Sequence, residues 1–445
     1  MIFRQKFKYI LVDEFQDTNY VQSELVDLLI GEHQSLMVVG DDAQSIYSWR
    51  GADMENILGF PDRYPDAKVY RIEKNYRSVP EILELSNAAI KANRNRFEKE
   101  LHAARSGGAM MPALVALEDP DTQAQFVAQR ILELRDEGVE LEEMAVLYRA
   151  HHLSVNLQLE FDNRGIPFQI TSGLRFFEQA HIKDIAAFLR FVTNRRDEVS
   201  FKRMVMLLPG IGAKGAAKLW KGWAGTVYAT SENPPECFSE IFASLPAPKR
   251  SATHWEQLGH TLDELVVEGD FARPTDMIFS VLEGVYDEYM RESFDNYENR
   301  RSDIEQLMTY AERFDEILDC LAQLSLMSAV DGDPSGSKAE RDPEQVTLSS
   351  VHQAKGLEWK IVFVISLTDG MFPNGRVLDA DDEYMLEEER RLFYVAITRA
   401  KDELYLTYPQ INPRSYSGDV IQRPSRFLDD CPQELMEEWR VGGEW

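Results

Sequence analysis

The sequence is poor in cysteine and has no long apolar run. Its 445 residues include three cysteines, Cys237, Cys320 and Cys431, which lie too far apart for a zinc knuckle and are too few for a disulfide framework. Its apolar stretches, such as Ile361 to Ile365, are far shorter than a membrane span, and the first residues lack the apolar core of a signal peptide. We therefore expect a cytoplasmic protein with reduced thiols and no membrane segment.

Positive charge is also scarce. The chain has 48 lysines and arginines against 76 aspartates and glutamates, which gives a formal net charge of −28 and a pI near 4.7. A non-specific nucleic-acid binder usually carries a basic surface, so the overall charge weakens that class of function. It does not exclude it, because a groove needs only local positive potential. Two basic stretches offer such potential: Lys91, Arg94, Arg96, Lys99 and Arg105, and Arg190, Arg195, Arg196, Lys202 and Arg203.

A phosphate-binding loop is the third absence. Tyr9 to Val12 predicts an apolar strand that runs directly into Asp13 and Glu14. At the end of a strand in an open α/β sheet, the aspartate can hold Mg²⁺ and the glutamate can position or deprotonate an attacking water. Such a site normally works with a G-x-x-x-x-G-K-[ST] loop, and no part of the 445 residues matches that pattern. Taken alone, an Asp-Glu pair after a strand is more often an acidic turn that leads into a helix.

Short apolar runs alternate with helical patterns over the first 150 residues. Buried strands are predicted at 9–12 and 36–39, and a third strand at 69–72. Ser78 to Glu81 predicts a capping box for the next helix, with Pro80 in its first turn. This alternation indicates an α/β fold with a parallel sheet covered by helices. The helix between the first two strands has Asp17 and Thr18 as capping candidates and an apolar face made by Val21, Leu25, Leu28 and Leu29.

The middle of the chain has a different character. Residues 175–329 show mostly helical periodicity, and Leu208 to Gly212 predicts either a helix-hairpin-helix turn that seats DNA phosphates or a tight structural connection. Residues 331–342 are rich in Gly, Ser and Pro, which is typical of a linker. Strand patterns return afterwards, so we interpret the helical block as an insertion within a second α/β domain. Further β–α signals, before and after that block, lie at 113–117, 123–135, 144–148, 345–349, 360–367 and 403–408.

Polar and aromatic residues follow the second strand. Gln44 has the position of a γ-phosphate sensor at a strand end. Tyr47 and Trp49 offer faces on which unpaired bases could stack, each stack being worth roughly 1–3 kcal/mol. Aromatic rings more often pack in a core, but the polar spacing Gln-Ser-x-Tyr-Ser-Trp-Arg is poor core patterning.

Three further segments carry candidate site residues. Arg77 precedes a helix N-terminus, where a cation is unfavourable unless it meets a phosphate, and its neighbour Tyr76 could stack on a nucleobase. In His352 to Trp359, Lys355 is a candidate phosphate contact and Glu358 a candidate acceptor for a ribose hydroxyl. In 387–401, Arg399 continues the inward apolar stripe of a predicted helix, and an inward-facing arginine needs an anionic partner.

These segments closely resemble the UvrD/Rep/PcrA family of superfamily-1 DNA helicases. The matches are DEFQDTN at 13–19, GDDAQSIYSWRGAD at 40–53, NYRS at 75–78, VHQAKGLEW at 351–359 and EEERRLFYVAITRAK at 387–401. Five motifs in the same order are very specific, and the resemblance covers nearly the whole chain.

The resemblance implies two RecA-like motor domains with ATP and Mg²⁺ in their cleft and 3′-to-5′ movement on single-stranded DNA. The implied domains are 1–73 (first motor domain, partial), 74–175 and 340–445 (second motor domain), and 176–339 (helical insertion). Implied partners are single-stranded DNA, duplex/single-strand junctions, and repair or replication proteins. The implied site residues are Asp13 for Mg²⁺ and ATP; Glu14, Gln44, Arg77 and Arg399 for catalysis; Tyr76, Lys355, Gly356 and Glu358 for ATP; and Tyr47, Trp49, Arg50 and His352 for DNA.

The missing phosphate loop departs from the family pattern. In the family, this loop, an adenine-reading glutamine segment and a helical insertion precede the position of Asp13. The leading hypothesis is the C-terminal portion of an ATP-dependent DNA helicase with little or no ATPase of its own. The alternatives are a non-enzymatic DNA-binding or adaptor protein on the same scaffold, and a split enzyme completed by a second chain.

Overall fold

The computed structural model divides into two compact units. One comprises Met1–Ser172 with Asp342–Trp445, and the other Gly173–Arg341. The structure describes residues 6–30, 35–107, 110–171, 179–229, 237–246, 250–267, 269–294, 297–312, 314–329, 344–380, 382–412 and 420–440. The predicted linker at 331–342 lies outside these ranges.

The first unit begins with a small parallel pair of strands. β1 (Ile10–Val12) pairs with β2 (Leu36–Val38) in register Ile10 to Leu36, and α1 (Tyr20–Ile30) lies between them in the chain. Both predicted strands are present, but the prediction that they are buried is wrong, because Leu11 is 73% exposed. Among the described residues this sheet consists of these two strands alone.

Helix α1 also departs from its prediction. Its N-terminus is closed by Asn19 and Gln22, which exchange hydrogen bonds between each side chain and the other's backbone N–H, so Asp17 and Thr18 are not the caps. The predicted apolar face is turned to solvent, with Leu25 54% exposed. A helical period identifies an apolar face but not what covers it, since burial depends on neighbouring elements.

The chain from 64 to 107 connects this pair to the large sheet. The predicted strand at 69–72 does not form, and pairing starts two residues later, where Lys74 meets His102. The next helix does begin at Pro80, but without the predicted capping box, because the Ser78 hydroxyl donates to the Ala400 carbonyl at 2.6 Å. The elements up to residue 171 are β3 (Lys74–Asn75), α2 (Pro80–Lys91), β4 (His102–Ala103), β5 (Ala113–Leu117), α3 (Pro120–Asp136), β6 (Met144–Tyr148), α4 (Val155–Arg164) and β7 (Phe168–Ile170).

The second unit is almost entirely helical, as its periodicity predicts. The turn between its second and third helices buries Leu208 and Ile211 and exposes Gly210, whose φ of +79° suits glycine; both interpretations of this turn remain open. The elements are α5 (Ala180–Thr193), α6 (Glu198–Val205), α7 (Ala213–Ala229), α8 (Phe238–Ser244), α9 (Ala252–Glu264), β8 (Val266–Val267), β9 (Asp270–Phe271), α10 (Pro274–Val281), α11 (Asp287–Ser293), α12 (Tyr297–Ala311) and α13 (Ile317–Ala329).

The chain then returns to the first unit and completes a seven-stranded parallel sheet in the order β15-β5-β12-β11-β6-β10-β7. This confirms the predicted α/β class. Within the described ranges no helix is both long and apolar enough to cross a membrane. The remaining strands and the remaining long helix are β10 (Val346–Ser350), β11 (Trp359–Val364), α14 (Glu383–Ile397), β12 (Ala400–Pro409), β13 (Ile411–Asn412), β14 (Val420–Ile421) and β15 (Glu437–Trp439). Short helices of this unit, left unnumbered, are Glu55–Leu58, Phe60–Arg63, Val351–Ala354, Gly375–Ala380 and Arg426–Asp429.

Helices cover both faces of the large sheet. Alternate strand residues point to opposite faces, so Leu147 packs with α2 and α14 while Val146 packs with α3 and α4. The first of these cores also takes in Ala43 and Ile46, which follow β2. By contrast, the core around β1 has only three buried residues among those that the structure describes, Phe15, Met54 and Ile57. The loop after β2 is therefore packed mainly against the large sheet and its helices.

Candidate functional site

Asp13 and Glu14 lie exposed at the carboxyl end of β1. Glu14 adopts the left-handed conformation, with φ 49° and ψ 43°, which is uncommon for a residue other than glycine and occurs often at functional sites. Its backbone N–H donates to Asp13 Oδ1 at 2.9 Å. The backbone thus turns sharply at the strand end and leaves both carboxylates accessible.

A buried glutamine, which the sequence did not single out, fixes this turn. Gln16 donates to Glu14 Oε2 at 2.6 Å and accepts from the Asp41 backbone N–H at 3.0 Å. It therefore ties the end of β1 to the loop after β2. A Cβ at Gly40 would lie 2.5 Å from Gln16 Oε1, so the close approach of these two segments requires glycine there.

The loop after β2 holds Gln44 beside acidic groups. Its side-chain amide donates to Asp41 Oδ2 at 2.7 Å. Lys99, from one of the two basic stretches, forms ion pairs with Asp41 and Asp42. Burial raises the pKa of Asp42, and Lys99 opposes that rise. At least one lysine of this stretch is therefore neutralised within the protein.

Lys355 lies between the ends of β1 and β2 and the segment that follows β10. Its ammonium donates to Asp17 Oδ2 at 2.5 Å and to the Gln44 carbonyl at 2.8 Å, and Glu14 Oε2 lies 3.7 Å away. The side chain is only 7% exposed. Gly356 follows with a φ of +87°, a conformation that favours glycine. In this conformation of the protein, Lys355 links the β1 and β2 ends to the segment after β10.

Arg77 and Glu358 also meet across the sequence. Arg77 Nε donates to Glu358 Oε2 at 2.5 Å, and Lys401 lies 3.0 Å from Glu358 Oε1. The hydrogen bond from Lys401 and the charge of Arg77 lower the pKa of Glu358, so this carboxylate is ionised at neutral pH. Tyr76 next to them is exposed, and Lys74 Nζ lies 5.4 Å from its ring centre.

Arg399 is inward-facing as predicted, with 2% exposure. Its guanidinium donates to the Val395 and Leu357 carbonyls and to the Thr398 hydroxyl. Burial and the nearby positive charge of Arg77 lower the pKa of Arg399 to about 10. Among the described residues no carboxylate forms an ion pair with Arg399, so its charge lacks a direct anionic partner.

Three rings form a cluster beyond the loop after β2. The Tyr47 and Trp49 ring centres lie 6.4 Å apart, and each lies within 6.3 Å of the His352 ring. The Tyr47 hydroxyl donates to the His352 carbonyl at 2.9 Å. Trp49 is 63% exposed, and the Arg50 guanidinium lies 4.6 Å from its ring centre. The cluster thus presents an accessible indole with a cation beside it, which suits base stacking and phosphate contact.

His352 is neutral at physiological pH. Burial, together with the positive charges of Arg149 and Arg50, lowers the pKa of its imidazole to about 4. It can therefore contribute a ring face and a hydrogen bond, but not a positive charge.

The charged residues at 387–391 were not predicted to be buried, and this run is the main functional feature that the sequence did not reveal. Each side chain has a different partner. Glu387 accepts from the Arg94 backbone, Glu388 from Ser48, and Glu389 from Arg149, while Arg390 pairs with Asp430 and Arg391 donates to the Ser45 carbonyl. Five consecutive residues point to all sides of a helix. Four of the five are buried, and Glu388 is partly buried, so this part of α14 has neighbours on every side.

The candidate Mg²⁺ ligand fits one mode of binding. No group of three or more His, Cys, Asp or Glu side chains within the described residues is arranged to hold a metal ion. An exposed carboxylate such as Asp13 nevertheless suits Mg²⁺, which commonly takes one or two carboxylates together with water and substrate phosphates.

The chain is similar in sequence to known protein families over these segments. Residues 70–227 and 257–410 match the UvrD-like helicase C-terminal domain, and residues 2–65 match the UvrD/REP helicase N-terminal domain. The ATP-dependent DNA helicase PcrA of Staphylococcus epidermidis is 34% identical over 98% of this chain and 59% of its own length. DNA helicase II of Escherichia coli is 35% identical over 99% of this chain and 61% of its own length. The chain thus spans about three fifths of the length of the curated relatives it matches.

Proposed function

The chain belongs to the UvrD-like helicase family, and from this premise we propose that it is part of an ATP-dependent 3′-to-5′ helicase that moves on single-stranded DNA. The observation that carries the proposal is the cluster of Tyr47, Trp49 and His352. These rings come from distant parts of the sequence and meet beside an exposed arginine. Such an arrangement can stack bases of any sequence, which a translocating protein requires.

A nucleotide site is the second part of the proposal. Arg77 lies close enough to the buried Arg399 for its charge to lower the pKa of Arg399, and Arg399 lacks a carboxylate partner among the described residues. Two such guanidinium groups favour a polyphosphate between them. Tyr76 would stack on adenine and Glu358 would accept from the ribose. Lys355 would contact a phosphate of ATP, with Gly356 beside it at the same site; in this structure the Lys355 ammonium donates to the Gln44 carbonyl.

Asp13 would hold Mg²⁺ and Glu14 would orient water at the same site. A bound Mg²⁺ ion would neutralise phosphate charge. The accessibility of both carboxylates and the turn that Gln16 fixes support these roles. Gln44, close to Asp41, would respond to the terminal phosphate.

The domain assignment follows from the family. In our proposal 1–73 belongs to the first motor domain, 74–175 with 340–445 forms the second, and 176–339 is the helical insertion. The substrates would be single-stranded DNA and duplex/single-strand junctions, and repair or replication proteins would be the partners.

ATP turnover by this polypeptide alone should be low, because it carries no G-x-x-x-x-G-K-[ST] segment. Steady-state ATPase assays with and without oligothymidylate test this. We expect no DNA-stimulated turnover above that of Asp13→Ala, a matched variant without the metal carboxylate. Robust stimulated turnover that is lost in Asp13→Ala would overturn the expectation.

The absent loop also favours a second candidate, a non-enzymatic DNA-binding or adaptor protein on the same scaffold. An adaptor differs from a split enzyme, whose phosphate loop comes from a second chain, in whether adding that loop on another polypeptide restores ATP turnover. A split enzyme would gain DNA-stimulated ATPase when mixed with an N-terminal segment of a relative that carries the loop, whereas an adaptor would bind DNA and gain none.

A further inference from the structure

The segment 44–48 is held by residues more than 300 positions away in the sequence. The Gln44 carbonyl accepts from Lys355 at 2.8 Å, and the Ser45 carbonyl from Arg391 Nε at 2.9 Å. Ile46, the next residue, is fully buried in the core that contains α2 and α14. The Ser45 hydroxyl also donates to the Gln16 carbonyl at 3.3 Å, so the segment is held both by the turn after β1 and by elements of the large sheet.

Glu388 contacts the residue directly before Trp49. Its Oε1 accepts from the Ser48 backbone N–H at 3.0 Å, and its Oε2 accepts from the Ser48 hydroxyl. One carboxylate thus holds both the backbone and the side chain of the residue directly before Trp49. The Trp49 ring is largely exposed and is contacted by the Tyr47 and His352 rings and by the Arg50 guanidinium. Because these contacts leave much of the ring in solvent, its orientation also depends on the anchored backbone.

Arg391 reinforces the anchor one turn along α14. It donates to Ser45 from Nε, while its Nη1 has no hydrogen-bond partner among the described residues and lies 4.0 Å from Glu387 Oε2. Two side chains of α14, three positions apart, thus hold the two ends of 45–48. Residues three apart project from the same side of a helix, which explains how one helix can hold both ends.

We propose that Glu388 is a positioning residue for single-stranded DNA: through Ser48, it fixes the Trp49 ring in the orientation that stacks on a base. The inference rests on the proposed function, because it assumes that Trp49 binds DNA. A ring held before binding loses less freedom on binding, so removing the anchor weakens the complex even though Glu388 itself touches no DNA.

The experiment measures the dissociation constant for a fluorescent oligothymidylate with the full chain and its variants. A base stack is worth about 5- to 150-fold in affinity. We expect Glu388→Ala to lose part of this, about 5- to 20-fold. Glu388→Gln keeps an acceptor for the Ser48 N–H and should remain within about 3-fold of the unsubstituted protein. The matched control is Glu383→Ala on the same helix, whose carboxylate pairs with Arg94 at the surface and should have no effect.

The background variant Trp49→Ala distinguishes positioning from general support of the fold. If Glu388 acts through Trp49, Glu388→Ala adds no further loss in that background. An equal loss in both backgrounds, or unchanged binding by Glu388→Ala in the normal background, would refute the proposal.

Ser48→Ala, which removes only the hydroxyl donor, tests the same anchor if Glu388→Ala does not fold. It should weaken binding about 2- to 5-fold, and unchanged binding would count against the proposal. Failure of the proposed function looks different: Trp49→Ala would bind as tightly as the unsubstituted protein, or the latter would not bind at all.

Discussion

Replacing Lys355 with methionine should destabilise the first unit and weaken the link between the ends of β1 and β2 and the segment after β10. The substitution keeps most of the side-chain volume but removes an ammonium that contacts Asp17 Oδ2 at 2.5 Å and the Gln44 carbonyl at 2.8 Å. The other carboxylate oxygen, Asp17 Oδ1, is buried and has no hydrogen-bond partner among the described residues. The variant would therefore leave a partly buried carboxylate without its lysine partner.

The expected cost follows from the burial of the pair. Breaking a buried ion pair by removing one partner costs about 3–5 kcal/mol. Asp17 keeps 20% exposure of its side chain, so water compensates in part and we expect about 2–4 kcal/mol. The pair Lys360–Glu143, 3.5 Å apart at the surface, provides the control: Lys360→Met should cost about 0–1 kcal/mol.

The cost should also depend on pH. Burial already raises the pKa of Asp17, although Lys355 opposes the rise. A carboxyl whose folded-state pKa is raised favours the folded state at low pH, and that contribution is lost as pH rises through the folded pKa. Without Lys355 the pKa of Asp17 rises further. The loss of unfolding free energy in Lys355→Met should therefore become smaller as pH falls from about 7.5 towards 5.

Urea unfolding at several pH values, followed by tryptophan fluorescence and circular dichroism, measures these free energies. The double variant Asp17→Asn, Lys355→Met should recover at least half of the loss, because the uncompensated charge is gone. The reasoning is refuted if Lys355→Met costs no more than Lys360→Met, or if the effects of the two substitutions simply add.

Three further predictions concern single residues. The pKa of His352 is depressed to about 4 in the folded protein, below the value of about 6.5 that a histidine has in the unfolded chain. The imidazole therefore stabilises the folded state above pH 6.5, and this contribution is lost as pH falls. His352→Gln should reduce the loss of stability between pH 7 and 5 by about 1–2 kcal/mol in urea unfolding. Leu85→Ala should cost about 2–5 kcal/mol and Leu25→Ala less than about 1 kcal/mol; equal costs in the same assay would show that α1 is covered. Arg399→Gln should weaken binding of tripolyphosphate about 10- to 100-fold by calorimetry, and unchanged affinity would rule Arg399 out as a phosphate ligand.

The large sheet was predictable because the apolar pattern of its strands matches the helices that cover its two faces. Residues such as 113–117 and 144–148 are apolar on both faces, as expected for strands covered on both sides. Strand β1 has the same pattern, yet Leu11 is exposed. Sequence reports what a strand is suited to pack against, whereas burial also requires that the neighbours be present.

The site was predictable as a set of residues but not as a network. The motifs placed Tyr47, Trp49 and His352 on the DNA side, and the structure brings their rings together. The contacts of Lys355 and Glu388 join residues more than 300 positions apart. Such pairs depend on the register of two distant segments, which local patterns do not specify.

Binding of single-stranded DNA tests the central claim most directly. Fluorescence anisotropy with labelled oligothymidylate should show binding that weakens with salt, exceeds binding to blunt duplex, and falls about 5- to 150-fold in Trp49→Ala. No binding at low salt, or equal affinity of the normal chain and Trp49→Ala, would contradict the account.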